Sequence, residues 1–262
     1  MTVPNTHTDP TGSIARAAHV LKAIASENGS ASLSAIVGHT GFSKTTVHRV
    51  LTSLQEVRLA TQDPHSRRWR LGSALATLAR VAGTTDIATL AGPGMGRLAT
   101  VSEDTVYLTA PEGATAICLA RRVGAFPIRT LTLDRGDSRP LGIGSGALAI
   151  YSALPDDRRA AACRVNRDRL AEYGADETRL EALSRETTAR GYACVRGTVI
   201  RGMSAIAVPV ITTTGRVVAA LSLAAIDERM SEARIETLLL PVLSEETRRL
   251  AALINEEEEL LP

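Results

Sequence analysis

The sequence predicts an α+β protein with a small helical domain at its amino terminus and a larger mixed domain after it. Three observations predict this division. The first 72 residues contain three short amphipathic helical patterns and then two short strand patterns. Beyond Ser102, strand and helix patterns follow one another without regular alternation, which favours an α+β fold over a doubly wound one. A chain of 262 residues is also long enough for two domains.

The composition is typical of a folded protein without a membrane span, with 44% hydrophobic and 22% charged residues. No apolar run reaches the roughly 18 residues that a membrane helix needs, and Met1–Gly12 lacks the features of a signal peptide. We therefore expect a cytoplasmic protein with no membrane partner. Cys118, Cys163 and Cys194 are odd in number and widely spaced, so we expect buried free thiols and no metal or other cofactor.

Basic residues and histidines are concentrated in the first third of the chain. Residues 1–82 contain nine Lys or Arg against four Asp or Glu, whereas the remainder contains 21 against 24. This asymmetry is typical of a nucleic-acid-binding module joined to a domain that does not bind nucleic acid. All five histidines precede residue 66. The larger domain therefore lacks a His general base or a His metal ligand, which argues against the commonest hydrolytic and metal-dependent reactions.

Two short helices are expected to precede a third. Met1–Gly12 reads as a disordered tail. Apolar residues from Ile14 to Ile24 follow helical spacing between Ser13 and Glu27, and Asn28-Gly29 ends the pattern. A second helix begins at Ser32 or Ser34 and ends before Gly41. Three short helices with a tight turn before the third form the helix-turn-helix arrangement.

The third helix, over Gly41–Glu56, carries the pattern of a DNA recognition helix. The Ser43 hydroxyl can cap its first turn. One face is apolar and consists of Val47, Val50, Leu51 and Leu54. The opposite face is polar and consists of Thr45, Arg49 and Thr52, flanked by Lys44 and His48, so the cations lie in the first two turns. An ordinary amphipathic surface helix is the alternative interpretation of this segment.

A small basic hairpin, or wing, follows the third helix. Its strands are expected at 59–62 and 67–71, with a turn at Asp63-Pro-His-Ser66. Alternation places Arg68 and Arg70 on one face of the second strand and Trp69 on the other. A solvated basic strand is the alternative, but three helices, a wing and a local basic excess together favour DNA binding.

A linker helix and a mixed domain are expected next. Residues 72–82 show helical spacing, whereas 83–100 contain both a helical pattern and the sequence Gly92-Pro-Gly94, which argues against a regular helix and suggests a bend. The strand patterns beyond that point are 105–109, 114–120, 128–133, 205–211 and 217–225. The helical patterns are 146–153, 156–163, 176–190 and, as one or two helices around Pro241, 231–258.

These segments together resemble the IclR-type family of bacterial transcription regulators. The resemblance rests on Ser13-Ile-Ala-Arg-Ala-Ala-His-Val-Leu, on Thr40–Leu51, on Trp69-Arg-Leu-Gly72 and on Gly215-Arg-Val-Val-Ala-Ala-Leu-Ser-Leu, and it extends from about Ser13 to Leu253. It implies a winged helix-turn-helix domain at 13–72, a linker helix at 73–85 and a GAF-like effector-binding and oligomerisation domain at 86–262. The expected DNA-binding residues are Ser43, Lys44, Thr45, Thr46, His48, Arg49, Arg67 and Arg68.

A ligand site is expected around the glycine-rich segment Leu141–Ala147. The backbone N–H groups of Ser145, Gly146 and Ala147 could bind an anion at a helix N-terminus. Many relatives have a Gly-Lys pair where this chain has Gly146-Ala147, so we expect a cation from elsewhere, with Arg129 as the candidate. The resemblance adds pocket residues on three later stretches, namely Cys194, Ala205, Ile206, Ser222 and Ala224. An alanine at 224, where some relatives have a serine, favours an effector with an aromatic or alkyl body.

The expected function is that of a ligand-responsive regulator. A dimer or tetramer would bind a pseudo-palindromic operator in double-stranded DNA and sense a small organic acid in its larger domain, with aromatic acids among the candidates. Two alternatives remain at this point. One is a constitutive DNA-binding oligomer whose larger domain has a fully packed core. The other, disfavoured by the missing histidines, is an enzyme that uses Cys194 or Ser145 as nucleophile and has a regulatory DNA-binding domain.

Overall fold

A computed structural model describes residues 12–27, 29–81 and 87–259 of the chain. The chain divides into two compact units, Met1–Thr84 and Thr85–Pro262. The predicted disordered tail, apart from Gly12, and the end of the predicted linker lie outside the described residues. Among the helices of the described ranges, none is both long and apolar enough to cross a membrane.

Three helices form the body of the first unit, as the sequence predicts. They are α1 (Ser13–Ser26), α2 (Leu33–Thr40) and α3 (Lys44–Glu56). The Ser32 hydroxyl accepts a hydrogen bond from Ala35 N, so the second helix is capped at Ser32 rather than Ser34. Gly41 has φ +70° and turns the chain sharply into α3, a conformation that glycine adopts at little cost. The core between these helices includes Val20, Ile24, Ile36, Val47, Leu51 and Leu54.

The wing contains one strand more than the sequence predicts. Strands β2 (Ala60–Gln62) and β3 (Trp69–Leu71) form the expected antiparallel hairpin, and β1 (Ser30–Ala31) pairs with the free edge of β3. A two-residue strand is too short to show a periodic pattern, so the sequence gives no signal for it. Trp69 is only 3% exposed and packs into the core of the unit. Helix α4 (Ser73–Val81) follows the wing where the linker helix is predicted.

A six-stranded antiparallel sheet organises the second unit. Its strand order is β6-β5-β4-β9-β8-β7. The strands are β4 (Thr105–Glu112), β5 (Thr115–Arg122), β6 (Ser138–Pro140), β7 (Ala193–Arg196), β8 (Met203–Ile211) and β9 (Val217–Ile226). The short edge strands β6 and β7 are absent from the sequence-based prediction. The predicted strand at 128–133 is wrong, because these residues belong to an irregular segment between β5 and β6.

Helices cover both faces of this sheet. On one face, α5 (Ile87–Ser102) and α10 (Leu240–Glu259) pack on residues such as Leu108, Leu221 and Leu223. On the other face lies α6 (Ser145–Ser152), which packs with α7 (Asp156–Ala171) and α8 (Glu177–Arg190). A 3₁₀ turn (Asp227–Arg229), the short helix α9 (Glu232–Arg234) and a π-helical turn (Ile235–Leu239) lead into α10. Pro241 therefore sits in the first turn of α10.

Helix α5 differs from the expectation that glycines and a proline would interrupt it. It runs through Pro93 as one helix. A Cβ atom on Gly94 would lie 2.8 Å from Glu246 Oε2 of α10. Glu246 in turn receives hydrogen bonds from Arg97 Nε at 2.8 Å and from Arg97 Nη2 at 2.6 Å. Gly94 thus permits the close approach of two helices, a packing role that local sequence patterns do not reveal.

Candidate DNA-binding surface and ligand cavity

The exposed face of α3 presents the polar residues that the sequence assigns to DNA. Lys44, Thr45, His48 and Arg49 are exposed, while the opposite face is buried in the core. Ser43 Oγ accepts a hydrogen bond from Thr46 N at 3.2 Å, so Ser43 caps the helix. The Ser43 and Thr46 hydroxyls also bond to each other at 2.9 Å. These two side chains therefore stabilise the first turn.

The wing holds its arginines on a turn that its own side chains stabilise. Asp63 Oδ1 accepts hydrogen bonds from His65 N at 3.0 Å and Ser66 N at 2.8 Å. These bonds, chiefly those from Ser66, lower the pKa of Asp63. Arg67 is exposed and has φ +57°, in the left-handed region. Arg68 Nε donates to Ser30 Oγ at 3.1 Å, so the Arg68 side chain also ties the wing to β1.

A cavity of about 640 Å³, counted together with its opening to solvent, lies between the start of α6 and one face of the large sheet. The residues that line its floor alternate along the strands with residues buried on the opposite face. Tyr107 pairs with Ser222 across β4 and β9, and Ala205 pairs with Ala224 across β8 and β9. All four line the cavity. The second unit therefore has an open cavity on this face rather than a fully packed core. We refer to it below as the α6 cavity.

The first turn of α6 brings unused hydrogen-bonding groups to this cavity. Ser145, Gly146 and Ala147 line it, and the N–H groups of the first helical residues have no acceptor within their own helix. Thr109, Ser145 and Ser222 are 4%, 6% and 4% exposed. Among the described residues, their hydroxyls make no hydrogen bond, yet none is sealed from solvent. Buried hydroxyls normally have partners, so this cluster is suited to an oxygen-rich ligand.

Arg139, rather than the predicted Arg129, supplies a cation to the cavity. Arg129 is exposed and is not among the lining residues, whereas Arg139 lines the cavity. Arg139 Nη2 donates to Thr132 O at 2.5 Å, and a Cβ atom on Gly144 would lie 3.5 Å from Arg139 Nη1. Burial lowers the pKa of Arg139, and no carboxylate of the described ranges forms an ion pair with it. A partly buried cation beside a helix N-terminus favours an anionic ligand.

Two other residues expected at the ligand site lie on the far face of the sheet. Cys194 and Ile206 are partners across β7 and β8, and both pack in the core beneath α5 and α10. Their neighbours Val195 and Ala205 face the α6 cavity instead. The resemblance identified stretches that border this cavity but included both faces of each strand. Successive residues of a strand point to opposite faces of the sheet, so a known strand register would have assigned each of these residues to its face.

The sequence prediction also missed an irregular segment that forms one wall of the cavity. Thr130, Thr132 and Leu133 line the cavity from this segment. Tyr107 Oη donates to Thr130 O and accepts from Thr132 N, the latter at 3.0 Å. The backbone here bonds to side chains instead of to a neighbouring strand. This explains why an apolar run that resembles a strand does not form one.

The enzyme alternative depends on the reactive side chains of the second unit. Its described residues include no group of three or more His, Cys, Asp or Glu side chains that could hold a metal ion. Burial raises the pKa of Cys118 to about 11, and burial also raises the pKa of Cys163. Such thiols are poor nucleophiles at neutral pH. Ser145 has no histidine in its unit to activate it.

A winged helix-turn-helix unit followed by an α+β unit with a polar-ended cavity is the architecture of a DNA-binding regulator with a separate ligand domain. Comparison with known proteins identifies the class. Residues 13–64 match the IclR helix-turn-helix domain, and residues 79–251 match the bacterial transcriptional regulator IclR C-terminal domain. The chain belongs to the IclR family of transcription regulators, and the predicted fold class is confirmed.

Individual relatives agree with this assignment. The HTH-type transcriptional regulator KipR of Bacillus subtilis is 30% identical over 231 residues, which cover 86% of this chain and 89% of KipR. The regulator TtgV of Pseudomonas putida is 32% identical over 149 residues, 57% of each chain. An IclR transcriptional regulator from Alicyclobacillus acidocaldarius, known from a crystal structure, is 25% identical in sequence and has a TM-score of 0.69. The match covers 96% of this chain and 99% of that regulator.

One structural neighbour was solved with a small molecule bound. It is an IclR homolog from Microbacterium hydrocarbonoxydans in complex with 4-hydroxybenzoate. It is 20% identical, with a TM-score of 0.67, and the match covers 92% of this chain and 98% of the neighbour. At this identity the similarity describes the fold alone.

Proposed function

We propose that this protein is a ligand-responsive transcription regulator that binds a pseudo-palindromic operator and senses a small organic carboxylate in the α6 cavity. The observation that carries the ligand half of the proposal is the cluster of unused donors around Gly146 and Arg139. The same protein would bind DNA through α3 and the wing. Different residues carry the two activities.

The DNA-binding half rests on the exposed face of α3. Arg49, Lys44, Thr45 and His48 would enter the major groove, where side chains read base edges. Arg67 and Arg68 of the wing would contact phosphates, which set affinity and its salt dependence rather than sequence preference. Two copies of the chain would contact two half-sites, so the operator would have the two-fold symmetry of the dimer.

Arg49→Ala tests this half. We expect it to reduce affinity for DNA from the protein's own upstream intergenic region by about 1–3 kcal/mol, the usual loss of a base contact. Lys22→Ala is a matched control, because Lys22 is an exposed cation on α1 rather than on α3. Equal losses in the two variants would indicate non-specific attraction only, and unaltered binding by Arg49→Ala would contradict the proposed role of α3.

The ligand half of the proposal rests on two parts of the cavity, a group of polar donors beside α6 and a floor of small apolar residues. A carboxylate would accept hydrogen bonds from the α6 N–H groups, from the hydroxyls of Thr109 and Ser222, and from Arg139. Beyond Ser222, the floor continues over Ala205 and Ala224. Small apolar residues there leave room for an aromatic or alkyl body. The 4-hydroxybenzoate bound by the Microbacterium neighbour makes aromatic acids sensible first ligands to test.

Ligand binding can alter DNA binding only if the ligand prefers one arrangement of the protein over another. Isothermal titration with a panel of aromatic and aliphatic carboxylates would identify the acid. Arg139→Gln should weaken its binding about tenfold or more, because charge-assisted hydrogen bonds contribute about 1.5–3 kcal/mol. Arg248→Gln, which removes an exposed cation from α10, should bind as wild type does. A carboxylate that binds both variants equally would exclude Arg139 from the site.

A further inference from the structure

Arginines are concentrated on two chain segments that contribute residues to the lining of the α6 cavity. Residues 121–139 contain five arginines and two aspartates, and residues 192–202 contain two arginines and no carboxylate. The first segment supplies Thr130, Thr132 and Leu133 to the cavity wall, and the second supplies Val199 and Ile200. Both segments therefore border the cavity.

This local excess contrasts with the rest of the same unit. Outside the two segments, residues 85–262 contain 14 arginines, no lysine and 22 Asp or Glu. The unit is thus negative overall, whereas the two segments beside the cavity carry a net positive charge. A sign reversal of this kind produces a field that attracts anions to the cavity and repels them from the remaining surface.

Four of these arginines keep their charge available to solvent. Arg122, Arg129, Arg135 and Arg201 are exposed, and within the described ranges none of them forms an ion pair or a hydrogen bond. Of these, Arg129, Arg135 and Arg201 lie within two residues of a residue that lines the cavity. Arg121 differs, since its Nη2 lies 2.6 Å from Asp134 Oδ1 and its Nη1 donates to Leu133 O at 2.7 Å. Arg121 therefore has a structural role in the segment, whereas the other four have none that the contacts reveal.

We infer that Arg129, Arg135 and Arg201, which we call the arginine collar, form an electrostatic guide that speeds the capture of anionic effectors without contacting them once bound. The inference rests on the effector function proposed above and adds a kinetic selection for negative charge. Arg139 and the α6 donors would hold the bound acid and so set its dissociation rate. The collar would act earlier, on the association rate, and its effect would be screened by salt.

The test compares two triple variants with the same change in net charge. The collar variant is Arg129→Gln/Arg135→Gln/Arg201→Gln, and the control is Arg164→Gln/Arg167→Gln/Arg248→Gln, which neutralises exposed arginines on α7 and α10. The probes are 4-fluorobenzoate and the uncharged 4-fluorobenzamide. Fluorine NMR line shapes during a titration give association and dissociation rates for each probe.

At low ionic strength the collar variant should bind 4-fluorobenzoate about tenfold more slowly than wild type, a modest part of the range for electrostatic steering. The control should change less than about twofold, and the difference between the variants should largely disappear near 0.5 M salt, where the Debye length is only about 4 Å. Dissociation rates and all rates for the amide should stay unchanged. Equal association rates of 4-fluorobenzoate in the two variants would overturn the proposed role of the arginine collar. A weaker affinity that comes only from faster dissociation would also overturn it. Wild-type protein that fails to bind 4-fluorobenzoate would instead contradict the acid-binding cavity itself.

Discussion

Replacing Gly146 by alanine tests how closely α6 packs on the sheet. A Cβ atom at this position would lie 2.7 Å from Thr109 Oγ1, 3.3 Å from Thr109 Cβ and 3.8 Å from Ser222 Oγ. The first distance is too short for a relaxed contact, so α6 or β4 must shift. Strand β4 is hydrogen-bonded to β5 on one side and to β9 on the other, which limits how far Thr109 can yield.

The expected cost follows from two opposing effects. Adding a methyl group to a packed interior usually destabilises by about 1–3 kcal/mol. Alanine is more favourable than glycine inside a helix by about 0.5–1 kcal/mol. The net expectation is a loss of about 1 kcal/mol, which for a domain of this size lowers the melting temperature by about 2–4 °C. The new methyl group would also stand between the Thr109 and Ser222 hydroxyls and weaken carboxylate binding.

Differential scanning calorimetry of the full chain measures this change. Gly96→Ala is the matched control, because a Cβ atom at Gly96 of α5 would meet nothing within 4 Å and should stabilise slightly. Thr109→Ala removes the clashing oxygen, so adding Gly146→Ala to that variant should no longer destabilise. If Gly146→Ala alone unfolds at or above the wild-type temperature, the close packing of α6 on β4 is wrong.

Three further predictions concern other parts of the chain. The Asp104 side chain is 1% exposed, and its carboxylate oxygens lie 2.6 Å from Arg229 Nε and 2.9 Å from Arg234 Nη1. Asp104→Ala should lower the free energy of unfolding, measured with denaturant, by about 3–5 kcal/mol, because it leaves two partly buried arginines without their partner. A loss below about 1 kcal/mol would show that the ion pair contributes no more than a surface salt bridge does. Arg97 lowers the pKa of Glu246 below its usual 4.5, so this pair stabilises at higher pH and its contribution disappears as the pH falls through the lowered pKa. Glu246→Gln should therefore have a lower free energy of unfolding than wild type at pH 7, and this difference should shrink toward pH 3 in urea titrations. A difference that does not change with pH would contradict the ion pair. Ser43→Ala should destabilise the first unit by about 1 kcal/mol through the lost cap, measured by Trp69 fluorescence, whereas Ser53→Ala on the exposed face of α3 should not.

The first unit could be predicted in detail because short-range signals specify it. Ser32 and Ser43 cap their helices, Gly41 turns between them, and the 3.6-residue spacing of Val47, Leu51 and Leu54 identifies the buried face. Each of these signals is readable from a few neighbouring residues. The short strand β1 is the exception, since it exists only because β3 offers an edge to pair with.

The second unit could be predicted less well because its deviations depend on distant contacts. Residues 128–133 resemble a strand, but hydrogen bonds from Arg121 and to and from Tyr107 hold their backbone instead. Gly94 resembles a helix breaker, but it makes room for Glu246 of α10. In both cases the contacting residues are distant in sequence, so a local sequence pattern does not include them.

In the candidate ligand site, too, some features follow from local sequence and others depend on distant contacts. The glycine-rich start of α6 could be found from sequence, because a helix N-terminus offers unpaired N–H donors to an anion. The choice between Arg129 and Arg139 could not, since it depends on which arginine the fold brings beside Gly144. The choice between Cys194 and Val195 depends on strand register, and a shift of one residue reverses every side chain.

We propose that this protein couples the binding of an acid in the α6 cavity to DNA binding by α3. The most direct measurement is the affinity of wild type and Arg139→Gln for the upstream DNA, with and without the carboxylate that titration identifies. Wild-type affinity should change by about 5–150-fold in either direction when the acid is added, the usual range of allosteric coupling. Arg139→Gln should bind DNA as wild type does without ligand and should not respond to the acid at that concentration. If the acid binds wild type but leaves its DNA affinity unchanged, the protein does not act as a ligand-responsive regulator through this cavity.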